Sequence, residues 1–142
     1  MVTTLTTMSG KQLKDKLGVH RFYVLLNSDM ESIMKEEYMS LEIGKNELSE
    51  EIDDYYDGSG FILSTIYDLP QWLQDIPNEE IDSIGVLSID SDCECKYFEH
   101  KDKFGNIYEH NYKSNSVNLL HVVKLNKFIK ENSYVLNRIK TK

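Results

Sequence analysis

The chain has 142 residues, 40% of them hydrophobic and 28% charged, which suits one domain with a real core and excludes wholesale disorder. Its formal net charge of −8 opposes direct binding to nucleic acid. No run of about 18 apolar residues predicts a membrane span. The opening residues lack the basic start and apolar stretch of a secretory signal. Two cysteines one residue apart, Cys93 and Cys95, exclude a disulfide scaffold, and the expectation is a protein with reduced thiols in the cytoplasm.

Residues 1–8 are polar and Thr-rich and read as a loose, flexible tail, so the expected domain is 9–142. Ser9 is placed to cap a short helix through Leu17, with Leu13 and Leu17 on one face and Gly18 ending it. His20 to Leu26 is rich in aromatic and aliphatic residues and reads as a buried strand. Ser28 and Glu31 have capping-box spacing, which predicts a helical turn to about Tyr38. Tyr38 to Ile43 alternates as a short strand would. Residues 45–60 are acidic and end in Asp57-Gly-Ser-Gly60, a loop signal.

Phe61 to Ile66 reads as a strand, and Asp68 is placed to cap a helix from Leu69 to Leu73 with Pro70 in its first turn. Ile84 to Ile89 reads as a central strand. Cys95 to His100 and Asn106 to Tyr112 read as a hairpin around Asp102-Lys-Phe-Gly-Asn106. A closing helix is expected from about Ser116, since Leu120, Val123 and Phe128 recur at helical spacing. The pattern predicts an α+β fold with about three helices and a mostly antiparallel sheet, the C-terminal helix packed on it. The expected core is Phe22, Val24, Leu26, Ile62, Val86, Leu87, Ile89, Leu120, Val123 and Phe128.

The charge is unevenly spread. Between Asn46 and Cys95 stand Glu47, Glu50, Glu51, Asp53, Asp54, Asp57, Asp68, Asp75, Glu79, Glu80, Asp82, Asp90, Asp92 and Glu94, with no Lys or Arg among them. Both ends are basic. A block of one sign attracts a basic partner and repels nucleic acid. Inside the block, Asp53-Asp-Tyr-Tyr-Asp-Gly-Ser-Gly60 fails as a calcium loop. With Gly58 at the sixth position the third is Tyr55, and with Gly60 there the first is Tyr55, where oxygen ligands are required. Tyr55 and Tyr56 are instead amphipathic anchors of the kind found at interface hot spots, with flanking acids to steer a partner. The expected partner-binding residues are therefore Glu50, Glu51, Asp53, Asp54, Tyr55, Tyr56 and Asp57. Paired tyrosines in an acidic surface resemble the inhibitory face of colicin DNase immunity proteins. The likeness covers about eight residues, and those proteins are shorter and all-helical.

Cys93, Cys95, His100 and His110 are four potential zinc ligands within eighteen residues. The C-x-C spacing is poor for zinc, and strand parity turns His100 away from the cysteines, so no metal or other cofactor is expected. No P-loop, nucleophile elbow or metalloprotease motif appears, and the chain does not read as an enzyme. Gly58-Ser-Gly-Phe-Ile-Leu-Ser64, after the strand Arg21–Leu26, resembles the G-x-G-x-Y-F region of ADP-ribosyltransferases. The first-strand His-Gly pair of that family is missing at Phe22–Leu25, and its Tyr falls on Ile62. The resemblance implies a degenerate relative without NAD chemistry.

The leading expectation is an acidic inhibitor, of immunity or anti-defence type. It would block a basic enzyme, a nuclease toxin or DNA-processing protein, by charge and shape, its carboxylates imitating a phosphate track. The rivals are a structural or adaptor domain and the degenerate transferase-like domain.

Overall fold

β-Branched and aromatic residues decide where this chain pairs into sheets. The computed structural model describes residues 2–34 and 60–133, which fall into two units. One is drawn from residues 2–18, 60–63 and 89–117, the other from 19–34, 64–88 and 118–133. The chain is an α+β protein, with two antiparallel sheets and three helices among the described residues, the last of these helices packed against its sheet. Among the described residues no helix is long and apolar enough to cross a membrane.

The first unit holds a four-stranded sheet. Its strands are β1 (Val2–Ser9), β3 (Phe61–Ile62), β5 (Glu94–Lys101) and β6 (Ile107–Ser114), in the order β1-β5-β6-β3. β5 and β6 form the expected hairpin, paired from Cys95↔Ser114 to His100↔Glu109 with a bulge before Lys101. Its turn closes on Asp102. The Asp102 N–H donates to the Asn106 carbonyl at 2.9 Å, and the Asp102 carboxylate accepts from the N–H groups of Phe104 and Asn106. These bonds hold that carboxyl below its usual range.

Residues 2–9 are not a loose tail. They pair along their whole length with β5, from Val2↔Lys101 to Ser9↔Glu94. The Thr-rich composition that reads as polar is also β-branched, and an edge strand needs a partner on one side only. α1 (Gly10–Leu17) follows directly. Ser9 and Gln12 form a reciprocal capping box, and Gly18 takes the left-handed cap at φ 68°. The start of α1 is bound to the turn before β5: Gly10 N–H donates to the Cys93 carbonyl at 2.9 Å, Lys11 N–H to Ser91 at 3.0 Å, and Lys14 Nζ to Ile89 at 3.1 Å.

The second unit holds β2 (Phe22–Leu26), β4 (Ser83–Ser88) and β7 (Asn118–Lys124) in the order β2-β4-β7. It also holds α2 (Leu69–Asp75), a short 3-10 turn at Asn78–Glu80 and α3 (Leu125–Glu131). The closing helix therefore begins at Leu125 rather than Ser116. A short apolar run cannot be assigned to helix or strand by periodicity alone, and Val122 and Val123 tip it to strand. Leu120 is the extra residue of a β-bulge opposite Val86/Leu87. Leu125 and Phe128 bury one face of α3, and the Phe128 ring meets Tyr23 edge-on with centroids 5.5 Å apart.

Two further expectations are corrected. No helix follows Ser28 within residues 28–34. The Asn27 side chain accepts from the N–H groups of Asp29 and Glu31, making an Asx turn with Met30 at φ 64°, and the chain returns to β2 through Leu26↔Ser32. Asp68 precedes α2 without capping it. Its carboxylate accepts from the Thr65 hydroxyl at 3.1 Å, and Thr65 closes the turn through Leu69 N–H to its carbonyl. The strand expected from Phe61 to Ile66 is confined to Phe61–Ile62, with an isolated bridge from Ser64 to Tyr23. The strand expected at 38–43 lies outside the described residues.

Of the expected core, Phe22, Val24, Leu26, Val86, Leu87, Ile89 and Phe128 are buried, Ile62 and Val123 are half-buried, and Leu120 is exposed on the bulge. Gly10 sits where no side chain fits. A Cβ there would overlap the Asp90 carbonyl oxygen and lie 2.9 Å from Cys93 Sγ. Gly10→Ala is expected to destabilise the fold by about 1–3 kcal/mol or more, because a backbone oxygen cannot move aside as a side chain can. Ser9→Ala is expected to cost about 1 kcal/mol through loss of the cap. Chemical denaturation of the two variants checks both values and their order.

Candidate functional site

The residues expected to bind a partner, Glu50, Glu51, Asp53, Asp54, Tyr55, Tyr56 and Asp57, lie outside the described residues. So do Gly58 and Ser59. The chemistry that the described structure gathers is on the β5–β6 hairpin, whose register sorts side chains onto two faces by the period of two along a strand.

One face carries Cys95 opposite Ser114 and Tyr97 opposite Tyr112. α1 packs over it. Cys93 and Cys95 are both buried with Sγ atoms 3.6 Å apart, and Cys93 Sγ lies 3.2 Å from Ser114 Oγ. The Ser114 hydroxyl donates to the Ser116 carbonyl at 2.7 Å, so it is the Cys93 thiol that donates to Ser114. Burial pushes the Cys95 thiol up to about 12, helped by the hydrogen bond and the charge of Cys93 beside it and opposed by Ser114. A thiol so raised is neutral near pH 7 and is no nucleophile.

Beside the thiols lies a ring cluster. Tyr97 and Tyr112 are parallel with centroids 6.2 Å apart, and His110 meets each edge-on. Tyr97 Oη is 2.8 Å from His110 Nδ1, and Lys16 Nζ stands 4.9 Å from the Tyr97 centroid, in cation–π range.

The opposite face carries Lys96 against Lys113, Phe98 against Asn111 and His100 against Glu109. Lys113 is 3% exposed and His100 is fully buried, stacked near Phe98. His100 and Cys95 thus stand on opposite faces. Among the described residues no group of three or more His, Cys, Asp or Glu side chains is arranged to hold a metal ion.

No family model, curated protein or solved structure matches the chain.

In the three-stranded unit a groove of about 600 Å³ is lined by Asn78, Glu79, Ile81, Asp82, Lys124, Leu125, Asn126 and Ile129. Lys124 Nζ spans both carboxylate oxygens of Asp82 at 3.1 and 3.0 Å, while Glu79 and Glu80 are exposed. Sequence reasoning missed this groove, because residues 78–82 and 124–129 meet only through the pairing of β4 with β7. It also missed the contact of Cys93 with Ser114, whose signal was present in the hairpin register.

The pH dependence of thiol chemistry follows from the Cys95 shift. A group whose pKa is raised by folding keeps its proton where the unfolded chain has lost it, so the folded thiol gains reactivity later in a titration. The iodoacetamide alkylation rate of Cys95 in the folded chain is expected to keep climbing above pH 9, where an ordinary thiol levels off. Peptide mass mapping against pH checks this, and a plateau at pH 9 would contradict it.

Proposed function

We propose that this chain is a cytoplasmic protein-binding inhibitor that engages a basic partner, of immunity or anti-defence type. The partner class is an enzyme that itself grips nucleic acid, since a surface of carboxylates competes for the same cationic groove. The observation that carries the reading is the run from Asn46 to Cys95, which holds fourteen acids and no lysine or arginine. Its described part contributes exposed Asp75, Glu79, Glu80, Asp90, Asp92 and Glu94. Glu79 also borders the groove of about 600 Å³.

The reading assigns different roles to acids and rings. Exposed carboxylates steer encounter and act on the association rate, an effect that salt screens over about 8–10 Å. Desolvated aromatic anchors act on dissociation. Immobilised chain should capture a basic protein at low salt and release it at high salt, and mass spectrometry identifies that protein. Against it, surface plasmon resonance should show slower association for Asp53→Asn with Asp54→Asn and for Glu79→Gln with Glu80→Gln, the loss shrinking as salt rises. Tyr55→Ala or Tyr56→Ala should cost about 2 kcal/mol or more in affinity, mainly through faster dissociation. If every variant keeps both rates, the acids serve solubility alone and the chain is a structural or adaptor domain.

A further inference from the structure

We propose that Lys96 and Lys113 form a site for a small monovalent inorganic anion of the halide class, on the β5–β6 face away from the thiols. The hairpin register, a cavity and the charge balance each lead there.

β5 and β6 set Lys96 directly opposite Lys113. Like charges directly opposed across a ladder repel, so the pair gains from a negative group between them. Lys113 is 3% exposed, where water screens the field of an ammonium least. Lys96 is half-buried and makes no hydrogen bond or ion pair among the described residues.

Both lysines line a small cavity of about 30 Å³, walled by Gly60, Glu94, Ser114 and Asn115. That space takes roughly one or two water molecules or a monatomic anion, and a sugar or nucleotide does not fit inside it. Gly60, Glu94 and Asn115 are exposed, so ions reach the cavity from solvent. Asn115 adds a neutral donor. Its Oδ1 accepts from the Glu94 N–H at 3.1 Å, which leaves its NH2 group available to an anion. The two ammonium groups and the Glu94 carboxylate sum to one positive charge, which one halide neutralises. Water weakens the exposed Glu94 charge more than that of buried Lys113, so the balance favours an anion over a cation.

Full-length protein is titrated with chloride at constant ionic strength, gluconate making up the balance, and the chloride NMR line width is read. The expected result is excess broadening that bromide reverses and gluconate does not. Lys96→Gln should weaken chloride binding by about tenfold, because a charged donor becomes a neutral one. The same change at exposed Lys127 should leave binding untouched. The unmutated chain should also melt at a higher temperature in chloride than in gluconate, and Lys96→Gln should lose that difference. The proposal is overturned if the protein adds no broadening, or if Lys96→Gln and Lys127→Gln behave alike. Sulfate displacing chloride as well as bromide does would overturn the halide class. Should Lys96→Gln fail to fold, crystals of the unmutated chain soaked in bromide decide. Anomalous signal between the two lysines supports the site, and signal only at other positions sinks it.

Discussion

The bond from Gly10 N–H to the Cys93 carbonyl ties the start of α1 to the turn before β5. On its N-terminal side it sets the register of β1, because Ser9 is both the last residue of the strand and the cap of α1. On its C-terminal side it aims α1 across the β5 face that carries Cys95 and Tyr97. Lys11 and Lys14 repeat the tie to Ser91 and Ile89, so orphan donors of the helix start are satisfied by the carbonyls of one turn. The constraint is steric as well as polar. The backbone of Asp90 approaches too closely for any residue but glycine.

That contact also explains why two adjacent thiols are buried rather than displayed. The turn at residues 90–93 is held down by the helix start, and the pleat of β5 then places Cys95 on the same side as Cys93. Ser114 arrives from β6 through hairpin register alone. A neutral, hydrogen-bonded dithiol in apolar surroundings is stable as it stands, which is why the raised Cys95 thiol is compatible with a structural role.

Much of the architecture was legible in the sequence wherever local chemistry and long-range pairing agree. The α1 cap, β2, β4 and the β5–β6 hairpin all combine a clear apolar pattern with a matching turn or terminator. The misreadings share one cause. At residues 4–9 and 118–124 the side chains are half-buried or exposed, so the apolar period carries little information and pairing with a distant strand decides the outcome. At 27–34 the capping-box spacing of Ser28 and Glu31 is present, yet Asn27 offers the same N–H groups a nearer acceptor. The candidate site was legible only as residue types. Cys93, Cys95, His100 and His110 could be named, and the parity argument separated His100 from the cysteines, but Ser114 and Tyr97 required the register.

The charge map changes meaning once the chain is folded. Along the sequence, acids and cations are segregated. Within each unit both signs occur together. Lys11, Lys14 and Lys16 share the first unit with Asp90, Asp92 and Glu94, and Lys124, Lys127 and Lys130 share the second with Asp75, Glu79, Glu80 and Asp82. Lys124 grips Asp82 directly, an exposed pair worth about 0–1 kcal/mol, too little to hold the fold but enough to cancel one acid locally. A partner therefore meets less negative charge near such pairs than the sequence suggests. Among the described residues that leaves the exposed Glu79 and Glu80, which take no part in the Lys124–Asp82 pair, as carboxylates a partner can meet.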